Sequence, residues 1–153
     1  MSQVILMMHV LFGVFAVLLA VALFVDTMHL SEENRNRVYL MSLAITALVV
    51  LSYLVGGYWY VTDYAVDKAI IKAGAWPWAH NFVMEVKEHV FFILLLLSLY
   101  LPFVTSRVRM QGGDRLKKLT LTITGLIIAL GLTMDGMGAI IAMGVRMGMK
   151  GGA

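Results

Sequence analysis

The 153-residue sequence contains no cysteine. Disulfides, thiolate-bound zinc, iron–sulfur clusters and covalently attached c-type haem are therefore excluded, and any metal must be held by histidine, methionine, carboxylate or backbone oxygen. Charge is scarce as well. Asp, Glu, Lys and Arg make up 14% of the chain against 61% hydrophobic residues, and the mean hydropathy of +0.87 lies far from that of a soluble domain. This composition predicts an integral membrane protein. The basic pI, about 9.3, comes mainly from Lys and Arg in short segments between apolar runs. It reports orientation in a bilayer and no nucleic-acid partner.

Four runs are long enough to cross a hydrocarbon layer of ~30 Å, which takes ~20 helical residues. They are approximately Val4 to Met28, Val38 to Val61, Asn81 to Thr105 and Lys118 to Val145. No positive charge precedes the first run, its apolar stretch is too long for a signal peptide, and no small-x-small cleavage pattern follows, so it is expected to be retained. Short connections predict a single all-α domain, an integral membrane antiparallel four-helix bundle. Thr62 to Ala73 reads as a short amphipathic stretch lying in the interface. Tyr58, Trp59, Tyr60, Trp76 and Trp78 form an aromatic belt beside it, for which anchoring is the simplest role. Arg35, Arg37, Arg107, Arg109, Arg115, Lys117 and Lys118 fall on one side, and Lys68, Lys72, Arg146 and Lys150 on the other. By the positive-inside rule both termini face away from the cytoplasm, in a bacterial or archaeal cytoplasmic membrane.

An antiparallel arrangement brings His9, Tyr60, Asp63, His80, Glu85, Glu88, His89 and Asp135 to one level near the outer face. Ionisable groups at such depth are costly and mark functional sites. Glu85, Glu88 and His89 share one stripe of the third long helix, while Lys87 and His80 project from other faces. On the first helix His9 shares its face with Gly13, Ala16 and Ala20, a groove that admits a neighbouring helix or a flat macrocycle. Gly131, Asp135, Gly138 and Ala142 repeat the device on the last helix, where close helix packing is the plainer reading. Ser42, Thr46, Tyr53, Gly56, Tyr60 and Asp63 give the second helix a polar inward face.

Three chemistries fit this level. A b-type haem between the first and third helices would take His9 and His89 as axial ligands, Gly13 as clearance for the ring, and Tyr60 or Lys87 at the propionates. The function would then be electron transfer at the outer face, with quinol as donor, and the chain would be a membrane oxidoreductase or a subunit of one. Alternatively, His9, His89, Glu85, Glu88 and Asp135 would hold a bare iron, copper or zinc ion. Or Glu85, Lys87, Glu88, His89 and Asp135 form a paired network that conducts protons or seats a charged ligand. Self-association or packing into a larger membrane complex is expected alongside any of these.

The His9 face, together with Trp78-Ala-His80 and Lys87 at the head of the third helix, resembles the layout of small four-helix membrane proteins. These are the CopD-like copper-resistance domains, the membrane protoporphyrinogen oxidases and the diheme b-type cytochromes. The resemblance covers the first and third helices, and the second lacks the histidines that diheme cytochromes carry there. It implies haem binding and redox chemistry through His9, His89 and Lys87.

Overall fold

Every element of the computed structural model, which describes residues 2–151, is helical. The helices are α1 (Ser2–Met28), α2 (Arg35–Thr62), α3 (Tyr64–Ala73), α4 (Glu85–Gln111) and α5 (Asp114–Gly151), with a π-helical turn over Ala79–Met84 leading into α4. Four stretches, Gln3–Met28, Arg35–Thr62, Ala79–Gln111 and Asp114–Lys150, are long and apolar enough to cross a membrane. The long helices match the expected runs but extend further at several ends. The amphipathic stretch is the ten-residue α3, which starts one residue after α2 stops.

The breaks between α1 and α2 and between α4 and α5 each have a local cause. Between α1 and α2, Asn34 folds back: its Oδ1 accepts the Ser31 amide at 2.8 Å, and its Nδ2 donates to the Asp26 and His29 carbonyls at 3.1 Å each. Arg37 then grips Asp26 through two bonds of 2.6 and 2.7 Å. Between α4 and α5, Gly112 turns the chain with φ of 66°, a conformation that penalises any side chain. It also presses against the Arg35 guanidinium, where a Cβ would not fit.

One pattern organises all four long helices. The inward residues of α1 are Leu6, His9, Gly13, Ala16, Ala20, Leu23 and Thr27; those of α2 are Val38, Ser42, Ile45, Val49, Ser52, Gly56 and Trp59. Along the π turn and α4 they are Met84, Lys87, Phe91, Leu94, Ser98, Leu101, Thr105 and Val108; along α5, Thr120, Thr124, Ile127, Gly131, Met134, Gly138 and Ile141. All are buried or half-buried, and they recur in alternating steps of three and four. That spacing is the seam of left-handed helix packing. α1 packs on α2 and α5, and α4 packs on the same two helices. Among the described residues the diagonal pairs, α1 with α4 and α2 with α5, do not approach each other closely.

Half of this helical bundle, around Thr27, Ser42, Thr105 and Thr120, is closed. Ser42 Oγ and Thr105 Oγ1 lie 2.7 Å apart, and Thr27, Thr120 and Thr124 donate to carbonyls one turn back. Pro102 lacks the N–H that would bond the Ser98 carbonyl. Thr46 of α2 fills that vacancy, donating its hydroxyl to Ser98 O at 2.6 Å.

Candidate functional site

The opposite half is hollow. A cavity of about 770 Å³ lies where the seams carry Gly13, Ala16, Ser52, Gly131 and Gly138 in place of large aliphatic residues. Its walls come from every α-helix: Gln3 to Val17 along α1, Val49, Ser52 and Trp59 on α2, Asp67 on α3, Lys87, Phe91 and Leu94 on α4, and Ile127 to Met149 along α5. Exposed Val10, Val14, Ala139 and Ala142 put the mouth between α1 and α5.

Most of the wall is apolar; Gln3, Asp67 and Arg146 line its α3 end, and His9, Ser52, Lys87 and Asp135 converge at a deeper level. His9 Nδ1 lies 2.8 Å from the Ser52 carbonyl oxygen and 3.0 Å from Ser52 Oγ, while that hydroxyl donates to the His9 carbonyl at 3.1 Å. The imidazole fills the space over Gly56, whose missing Cβ would stand 2.5 Å from Nδ1. Asp135 Oδ1 faces Gly13, 3.7 Å from where a Cβ would sit, and Lys87 Nζ faces Gly138 at 3.3 Å by the same measure. His9, Lys87 and Asp135 lie within electrostatic reach of one another. Yet among the described residues the ion pairs within 4 Å are Arg35 with Glu32 and Arg37 with Asp26, both at the closed end. The Lys87 ammonium and the Asp135 carboxylate thus point towards shared space without gripping each other.

The structure sorts the expected residues differently from the sequence. His9, Gly13, Lys87 and Asp135 meet at the cavity. Glu85 and His89 are exposed and line no part of it, and His89 spends its Nδ1 on the Glu85 carbonyl at 2.7 Å. Glu88 is half-buried on another side, where the Tyr60 hydroxyl lies within hydrogen-bonding reach. The Glu85, Glu88 and His89 stripe therefore does not face His9, and Lys87, expected to project elsewhere, does. The cause is the seam: Phe91, Leu94, Ser98 and Leu101 fix the rotation of α4, and Lys87 is the next position on their line. Among the described residues no group of three or more His, Asp or Glu side chains comes close enough to hold a metal ion, so His9, Glu85, Glu88, His89 and Asp135 are not gathered into one. Of the expected polar face of α2, Ser42 is buried and Thr46 bonded, while Tyr53 is exposed and stacks on Phe91 at 5.4 Å.

One participant carried no clear sequence signal. Ser52 orients His9, yet a lone serine in an apolar helix announces nothing. His80 is 4% exposed, with Nδ1 3.0 Å from the Tyr64 hydroxyl, and Tyr64 stacks on Tyr60 with centroids 5.1 Å apart. α3 roofs the end of the cavity. It is seated on the last turns of α5 by glycines: a Cβ on Gly148 would stand 2.5 Å from the Ile70 carbonyl oxygen, and one on Gly74 2.6 Å from Gly148 Cα. Burial, reinforced by the Asp63 carboxylate, holds the Asp67 carboxyl of this roof above its usual range. Burial likewise raises the Tyr64 phenol, with further contributions from Tyr60, Asp67 and Glu88.

No protein-family model, curated protein or solved structure matches the chain.

Proposed function

We propose that the chain is an antiparallel four-helix membrane protein whose outer half binds the polar head of a single-tailed, membrane-soluble amphiphile entering between α1 and α5. One observation carries the reading. His9, Lys87 and Asp135 converge on an apolar-walled cavity without pairing, and polar groups at membrane depth need a partner. Lys87 lies eight residues into the Ala79–Gln111 stretch, about 12 Å along the helix axis. A head group held there leaves its tail the apolar slot along Ala16, Val17, Ile127 and Gly131. His9 and Asp135 can exchange protons with such a head, which keeps the quinol expectation and the proton-conducting one within a single site.

Trp59 lines the cavity and supplies the test. In nanodiscs, a Trp76→Phe/Trp78→Phe background leaves Trp59 as the reporter, and decyl-chain amphiphiles should shift or quench its emission saturably. Lys87→Leu/Asp135→Leu should abolish that saturation. An emission indifferent to every decyl amphiphile would sink the reading.

A second reading, b-type haem, retains one supporting observation. His9 gives Nδ1 to a backbone carbonyl, the usual support for an imidazole that ligates iron through Nε2. His89 does not line the same cavity, so His9 would be the protein's one axial histidine there. A reduced-minus-oxidised spectrum of protein from haem-replete cells decides it, since no Soret band means no haem.

A further inference from the structure

The hydrogen bonds around His9 fix which of its nitrogens is free. A carbonyl oxygen can only accept, so the 2.8 Å approach of Nδ1 to Ser52 O requires a proton on Nδ1. Ser52 Oγ also receives from Nδ1, because its own hydrogen is directed at the His9 carbonyl. In the neutral ring Nε2 therefore carries a lone pair and no hydrogen. It has no bonding partner among the described residues. Gly56 allows this pose, for any side chain there would collide with the ring. Ser52 and Gly56 are positioning residues that present Nε2 as a hydrogen-bond acceptor.

The other two groups complete a specification. Asp135, when ionised, accepts and cannot donate; Lys87 donates and cannot accept. A head group satisfying all three offers hydroxyl hydrogens towards His9 and Asp135 and an oxygen lone pair towards Lys87. At the level of His9 a simple carboxylate meets Lys87 and is repelled by Asp135, and a quaternary ammonium meets Asp135 and is repelled by Lys87; Arg146 and Asp67 line the cavity further towards α3. Phe91 and Trp59 add aromatic wall beside the polar level.

We propose that the head group recognised by the cavity is a hydroxylated aromatic ring of the hydroquinone class, held by an O–H···Nε2 bond to His9. The inference rests on the reading of the cavity as an amphiphile site, and the probes below separate the failure of one from the failure of the other.

The test titrates the Trp59 reporter protein in nanodiscs, under anaerobic conditions, with decylhydroquinone, its dimethyl ether and decanoate. The hydroquinone should bind at least about tenfold more tightly than the ether, which has the same ring and tail without the O–H; losing one well-placed hydrogen bond has that size. His9→Asn keeps a donor to Ser52 but loses the Nε2 acceptor. It should lower the ratio to the share that the Asp135 bond alone supports, and an unchanged thermal midpoint shows the fold intact. Gly56→Ala should lower the ratio by displacing the ring. A ring ¹⁵N spectrum should show His9 neutral with its proton on Nδ1. Equal binding of hydroquinone and ether, a ratio preserved in His9→Asn, or a proton found on Nε2 would each overturn the proposal. Binding of decanoate without the hydroquinone overturns it and leaves the amphiphile site standing. Binding of none of the three overturns both.

Discussion

The two halves of the bundle share one seam and differ in what fills it. In the closed half, Leu23, Ile45 and Leu101 are fully buried, and small hydroxyls settle with one another or with nearby carbonyls. In the hollow half, glycine and alanine replace the aliphatic residues, and an imidazole, an ammonium and a carboxylate stand apart around empty volume. In the first arrangement every buried hydroxyl is bonded, and the one buried side-chain nitrogen left without a partner among the described residues is Arg35 Nε at its margin. The second leaves volume unfilled beside the Trp59, Tyr64 and Ile71 cluster, and its three ionisable groups form no ion pair with one another. On the proposed reading, the closed end contributes more of the stability and the hollow end the binding.

Substitutions can break that contrast. Leu101→Ala, at a residue with no exposed surface, should cost about 2–5 kcal/mol by opening a hole in the closed half, measured by thermal or denaturant unfolding in detergent. If Leu101→Ala were silent, the closed half would not be the stabilising one. Lys87→Met should do the reverse, abolishing amphiphile binding while leaving the midpoint unchanged or raised, because an unpaired charge leaves the hollow half. A midpoint lowered as far as in Leu101→Ala would make Lys87 a structural residue. Gly148→Ala should cost about 1–3 kcal/mol through collision with the Ile70 carbonyl, and hydrogen exchange should rise selectively in α3. Ser42→Ala should cost about 1 kcal/mol or less, the usual worth of one interhelical hydrogen bond in lipid.

The smallest expected effect is a pH dependence at the roof. The Asp67 carboxyl is raised in the folded chain, so folding favours its protonated form. The resulting stability is fully present below the unfolded value of 3.8 and is lost as pH rises through the higher folded value. Seating of α3, followed by hydrogen exchange, should therefore be firmest in acid, and Asp67→Asn should flatten the profile. A profile unchanged in Asp67→Asn would assign the effect to another group.

The four long helices, α3 and the polar wall of α1 were legible in the sequence, since length, composition and the His9, Gly13, Ala16 and Ala20 stripe belong to single helices. The rotation of α4 is not legible from charge: Glu85, Glu88 and His89 form its most charged stripe, yet residues near the end of a span can turn charge outward at little cost. Extending the line of Leu101, Ser98, Leu94 and Phe91 backwards by alternating three and four reaches Lys87 without a structure. Ser52 could not be found that way, because its importance lies in the tautomer it imposes on a residue of another helix.

α5 has 38 residues and is about 57 Å long, nearly twice the ~30 Å of a hydrocarbon layer. Its final turns are the ones that α3 clasps at Gly148, and Asp135 lies about 20 Å further down the same rod. One unbroken helix thus joins the seat of α3 to the cavity wall at Asp135, so the roof and the polar level are set by the same rod.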